Sequence, residues 1–146
     1  MKTSTGLRNA MLASGSLKSL LDNGVLRIYG GSVPSTADEA IGGATLLCEI
    51  TEDGLGGGLD FAAAAVGGVL AKLAGQVWAG TPVATGTATF FRFVQTGDTG
   101  AVSTTAPRLQ GTCGTAGADL NMTSTALVSG TPLPPVDFFN VALPTL

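Results

Sequence analysis

The spacing of apolar positions changes period once along the chain. From Leu7 to Leu21 it is helical: Leu7, Ala10, Met11, Ser14, Leu17, Lys18 and Leu21 share one stripe, which Leu20 broadens. Ser4 or Thr5 offers a cap, Gly15 weakens the middle by about 1 kcal/mol relative to alanine, and Gly24 after Asp22 and Asn23 is a stop. The pattern predicts one helix over residues 1–23. After Gly24 the apolar runs shorten and alternate. Val25–Tyr29 and Thr45–Thr51 read as strands, and Val69–Lys72 and Gln76–Trp78 as shorter ones. Ala62–Gly68 fits helix or strand: four alanines favour a helix that Gly67 and Gly68 would stop. Thr36 and Glu39 have capping-box spacing, which predicts one helical turn between the first two strands.

The clearest strand is Gly86–Val94. Ala88, Phe90, Arg92 and Val94 fall on one side, and Thr87, Thr89, Phe91 and Phe93 on the other, so both sides are expected to be covered. Arg108–Cys113, Leu120–Val128 and Val136–Leu143 complete the set, the last two by strict alternation. About eight short strands separated by glycine-rich turns, behind one N-terminal α-helix, predict a mainly β chain. Its expected form is a β-sandwich, jelly-roll or Greek-key like, in a single domain: the helix over 1–23 and the sandwich over 25–143.

Composition narrows what such a fold can do. The 146 residues include no histidine, seven lysines and arginines, and ten aspartates and glutamates, for a net charge of −3. Charged residues make up 12%, about half the usual quarter, and the mean hydropathy is +0.41. A surface so poor in charge and rich in small residues loses little on desolvation, which points to a homo-oligomer or lattice component. The cations, Lys2, Arg8, Lys18, Arg27, Lys72, Arg92 and Arg108, are dispersed, so direct nucleic-acid binding and a polybasic membrane contact are not expected. The opening MKTSTGLRNAMLAS lacks the apolar stretch of an export signal, and Phe61–Ala71 is too short to span a bilayer, so assembly in a cytoplasm is expected.

The candidate chemistry is sparse. Without histidine there is no base for a serine or cysteine nucleophile, and GxSxG does not occur. The neighbouring pairs Asp38–Glu39 and Glu52–Asp53 do not face each other across a cleft as a glycosidase requires. Asp98 and Asp119 sit in glycine-rich turns, where aspartate commonly bonds its own backbone. The run Gly54–Gly58 lacks the Lys-Ser or Lys-Thr of a phosphate loop. Cys48 and Cys113 are too few for a zinc site, and a reduced, buried pair is expected. No enzyme, catalytic residue, metal site or cofactor is predicted. Trp78 and Tyr29 are the residues that could anchor an interface, the alternative for Trp78 being a place in the core. Leu7 and Met11 on the helix are interface candidates too, the alternative being that the helix covers one end of the sheet.

The opening fifty residues, through GGATLLCEI, and the later stretches GTATFFRFV, RLQGT, AGADLNMTSTALVSGT and DFFNVALPTL resemble small proteins encoded among the virion structural genes of tailed bacteriophages. The resemblance runs along essentially the whole chain. It implies a head decoration, or cement, protein on the capsid surface, with the major capsid protein as partner and no chemistry to perform. Two alternatives stand beside it: a tail or connector component, and a carbohydrate-binding virion surface module. The last requires Trp78 or Tyr29 exposed beside an aspartate or asparagine.

Overall fold

A computed structural model describes residues 1–143. Strand β1 (Lys2–Thr3) leads into two helices, α1 (Thr5–Ala13) and α2 (Leu17–Leu21), where the sequence predicts one. Ser4 caps α1, its Oγ accepting from Leu7 N at 3.0 Å. The break falls at Gly15 because Ser16 starts a second helix. Ser16 Oγ accepts from Ser19 N, and Ser19 Oγ accepts from Ser16 N, a reciprocal capping box. That local chemistry outweighs carrying one helix across a glycine.

The strands that follow are β2 (Gly24–Gly30), β3 (Thr45–Glu52), β4 (Val69–Ala71), β5 (Trp78–Ala79), β6 (Gly86–Gln95), β7 (Arg108–Gly114), β8 (Leu120–Asn121), β9 (Ala126–Leu127) and β10 (Asn140–Ala142). The main sheet has the order β1-β7-β6-β2-β3-β5, with β8 beside β7 and β9 beside β6; β4 and β10 form a separate antiparallel ribbon. The chain is mainly β and sandwich-like, with its helical segment at the N-terminus. The hairpins β2–β3 and β6–β7 meet through their first strands, rather than by the fourth-beside-first closure of a Greek key. Strands β3 and β6 therefore run parallel with β2 between them, and residues 53–85 must cross over one face of the sheet.

That crossover supplies the second layer. Cross-strand register puts Leu26 against Ile50 and Phe93, Ile28 against Cys48 and Phe91, and Phe93 against Leu109. Leu59, Phe61, Leu70 and Trp78 from the crossover pack on this face with Phe139 and Val141. Trp78 lies 5.8 Å from Phe61, 5.7 Å from Phe93 and 5.5 Å from Phe139, a cluster of tilted and edge-on aromatic rings. Its indole N–H donates to Gln76 Oε1 at 3.0 Å, so this buried polar atom is satisfied. Leu7 and Leu21 close one end of the same core.

Other segments depart from the sequence expectation as well. Ala62–Gly68 is neither helix nor long strand: Val66 and Val69 exchange backbone hydrogen bonds at 2.9 and 3.0 Å across Gly67 (φ +59°) and Gly68 (φ +79°), and only glycine adopts such a pair cheaply. The strand expected over Leu120–Val128 is reduced to β8 and β9, which pair with different strands. Between them Ser124 Oγ accepts from Ala126 N, a local bond that competes with the ladder. The strand expected over Val136–Leu143 shrinks to Asn140–Ala142. Before it the chain turns inward at Leu133, Val136 and Phe139, every third residue, which is the period of a polyproline II segment. Val136 N and Leu133 N reach back to Trp78 O and Gly80 O, and this proline-rich strap seals the core.

Candidate functional site

Of the four residues singled out as interface candidates, the fold withdraws three from the surface. Trp78 and Leu7 are wholly buried and Tyr29 is 3% exposed; Met11 is half-buried against the core. Trp78 is the centre of the aromatic cluster, and Leu7 is the inward residue of α1. Tyr29 stacks on Phe90 at 5.0 Å on the second face of the sheet. These are interior positions of this chain, and none of the three offers a contact surface.

The second face is where the charged side chains have gone. Register sets Arg27 beside Glu49 and Arg92, Arg92 beside Gln110, and Val94 beside Arg108. Arg92, Arg108 and Gln110 are at most 2% exposed. Two loops, residues 31–44 and 96–107, lie over them, and the arginines hold those loops by their backbone carbonyls. Arg92 donates to Glu39 O at 2.8 Å and Thr36 O at 3.3 Å; Arg108 donates to Ala101 O at 2.7 Å and Ala37 O at 3.3 Å. Arg27 reaches Asp98 O and Thr96 O, and Gln110 donates to Pro34 O at 2.8 Å. This use of the carbonyls of residues 36, 37 and 39 explains the missing helical turn. Glu39 binds Ser35 N and Oγ instead of capping a helix.

Asp98 is the carboxylate inside this layer. It meets Arg108 in a two-bond contact and accepts from Gly100 N at 2.7 Å. Burial pushes its carboxyl up, but the Arg108 and Gly100 hydrogen bonds and the nearby arginine charge outweigh this and hold it below the usual range. Arg92 has no carboxylate partner, and its Nη1 is buried without a hydrogen bond among the described residues. Burial, and then the neighbouring Arg108 charge, lower its pKa. Tyr29 moves up through burial, opposed by Arg27 and Arg92.

The other candidate groups are tied into the structure. Asp38 accepts from Thr5 N and Oγ1 at 2.7 and 2.6 Å, docking α1 to the first loop. Asp119 binds the Met1 amine at 2.8 Å and Thr112 N at 3.0 Å. Cys48 is on β3 and Cys113 on β7, with two strands between, so they stand at least about 14 Å apart, beyond disulfide reach. Among the described residues no group of three or more Cys, Asp or Glu side chains is placed to hold a metal ion, and no helix is long and apolar enough to cross a membrane.

The opposite face carries an open feature of its own. Between the loop after β8 and the C-terminal strap lies a cleft of about 430 Å³, with the buried Ile28 and Ile50 beneath it. Phe138, 85% exposed, stands at its edge with Asp137, Asn140, Asn121 and Thr123. Phe138 stands outside because this segment, expected as an alternating strand, repeats every third residue. Leu133, Val136 and Phe139 at threefold spacing beside prolines were the available signal. For the polar layer, the signal was an arginine at the centre of each of two strongly apolar strands, VLRIY and TFFRFV.

A scan against models of known families, a search of curated proteins and a search of solved structures each return no match to this chain.

Proposed function

We propose that the chain is a non-catalytic virion component of a tailed phage, a head decoration protein that binds and stabilises the lattice of the major capsid protein as an oligomer. The observation that carries this reading is the disposition of the cations. All seven lysine and arginine side chains donate to acceptors of this same chain: Lys2 to Ser35 O, Arg8 to Thr5 Oγ1, Lys18 to Asp22, Lys72 to Gln76 O, and the three arginines of the polar layer as described. Charge is spent on holding loops in place, and little is left to steer a nucleic acid or drive proton transfer. What faces outward is largely uncharged, with Leu12, Leu55 and Val66 each at least 80% exposed on separate turns and helix ends. Rigid loops with a surface that is cheap to desolvate suit a lattice clamp. The resemblance of the sequence to phage virion proteins supports the same reading.

The test is quantitative mass spectrometry of purified particles against emptied heads. Retention on heads at a stoichiometry matching the capsid lattice is the expected result. The small fixed number of a portal or tail ring would move the assignment to a connector or tail part. Absence from particles would overturn it.

A further inference from the structure

The cleft beside the C-terminal strap combines unused hydrogen-bonding groups with apolar walls. Its volume of about 430 Å³ falls at the small end of the range for sites that enclose a small molecule, about 300–1,000 Å³. Ile28 and Ile50 lie buried beneath it, and the partly exposed Met122, Leu133 and Val136 form its apolar walls. Among the described residues Asp137, Asn140 and Thr123 make no side-chain hydrogen bond. Asn121 uses only its carbonyl oxygen, which accepts from Ala118 N at 3.1 Å, and its amide N–H groups are left over. The strap itself produces this arrangement. By turning Val136 and Phe139 inward, it turns Asp137 and Phe138 outward, so an unshielded aromatic ring and an unpaired carboxylate stand side by side at the mouth.

We infer that this cleft binds a neutral pyranose sugar. A pyranose carries apolar C–H patches and a ring of hydroxyls, and the cleft offers a counterpart to each. The Phe138 ring and the Met122, Leu133 and Val136 side chains meet the C–H patches. The Asp137 carboxylate accepts from hydroxyl groups, and the Asn121 and Asn140 amides both donate and accept. Charge selects further. Asp119 is neutralised by the Met1 ammonium, and Asp137 is the lining carboxylate without a partner among the described residues, so the cleft suits a ligand that is neutral and disfavours phosphorylated or acidic sugars and nucleotides. The site stands on its own geometry and does not depend on the capsid assignment. It also replaces Trp78 and Tyr29, which are buried, as the place where an exposed aromatic lies beside aspartate and asparagine.

The test is an amide NMR titration of the full chain with a panel of free sugars, namely glucose, galactose, mannose and N-acetylglucosamine, with sialic acid as the anionic comparison. The expected result is saturable shifts for at least one neutral sugar, confined to residues 119–124 and 133–140, and none for sialic acid. Phe138→Ala and Asp137→Asn alter exposed side chains and leave the core intact, and each is expected to weaken binding about tenfold or more. An unchanged Trp78 fluorescence spectrum confirms that each variant is folded. The absence of saturable shifts from every neutral sugar, shifts elsewhere on the molecule, or full affinity in both variants would overturn the inference. So would apolar peptides that shift these amides where no sugar does.

Discussion

Arg108 grips Asp98 through two parallel hydrogen bonds, Nε to Oδ2 at 2.6 Å and Nη2 to Oδ1 at 3.0 Å, with the side chains only 2% and 5% exposed. The same guanidinium holds Ala37 O and Ala101 O, one from each covering loop. Removing the carboxylate leaves a buried cation, beside a second one at Arg92 that has no acidic partner among the described residues. Asp98→Asn is therefore expected to cost about 3–5 kcal/mol, the usual penalty for breaking a buried pair from one side. Urea unfolding followed by Trp78 fluorescence reads this directly, since Trp78 is the only tryptophan.

Acid should undo the same layer. The carboxyls of Asp98, Asp38 and Asp119 are all held low in the folded chain. At Asp98 and Asp119 hydrogen bonds overcome the upward push of burial, and at Asp38 the Thr5 hydroxyl is the largest influence. A carboxylate whose folded pKa is depressed gives stability that is fully present above its unfolded value, near about 3.9. That stability is lost as pH falls through the folded value. Thermal unfolding is expected to be nearly flat in pH around neutrality and to drop steeply in acid. Asp98→Asn should show a shallower acid drop, because one of the titrating groups is gone.

Gly6 tests whether packing or helix propensity decides at the start of α1. Propensity alone favours alanine there by about 0.5–1 kcal/mol. A Cβ at Gly6, however, would stand 2.3 Å from the backbone C and O of Thr105 and 2.7 Å from Ala106 O. Backbone atoms cannot swing aside, so Gly6→Ala is expected to destabilise by about 1–3 kcal/mol, as overpacking does. A rise in melting temperature would show that the contact of α1 with the 96–107 loop is looser than described.

The two thiols should be nearly inert in the native chain. Burial, aided by the Glu49 charge, pushes Cys48 up to about 11, and burial with Asp119 pushes Cys113 up to about 12. Little reactive thiolate is then present at neutral pH. Iodoacetamide is expected to label neither residue appreciably until denaturant is added, and mild oxidation should give no intramolecular crosslink.

The fold class was legible because period-two alternation is strong where one face of a strand meets an apolar core, as in Val25–Tyr29 and Gly86–Val94. It failed where another rule set the conformation. At Leu133–Phe139 the prolines impose a three-residue period, which put Phe139 inside and left Phe138 out. At Ser16 a serine side chain restarted the helix. The polar layer was legible only in part: Gly86–Val94 reads as covered on both sides, Arg92 included, but what covers it does not show. Nothing in the spacing of residues 31–44 or 96–107 says that their carbonyls will be claimed by Arg92 and Arg108. Trp78 and Tyr29 are each the single residue of their type, and rarity carries no information about which side of the sheet a ring will face.

The proposed role of this chain is to clamp a capsid lattice without performing chemistry. It is tested most directly by adding the purified chain to phage heads assembled without it and measuring bound copies by sedimentation, together with the temperature at which the heads rupture. The account predicts saturable binding in proportion to the lattice and a higher rupture temperature. No binding to heads, or binding that leaves their stability unchanged, would contradict it.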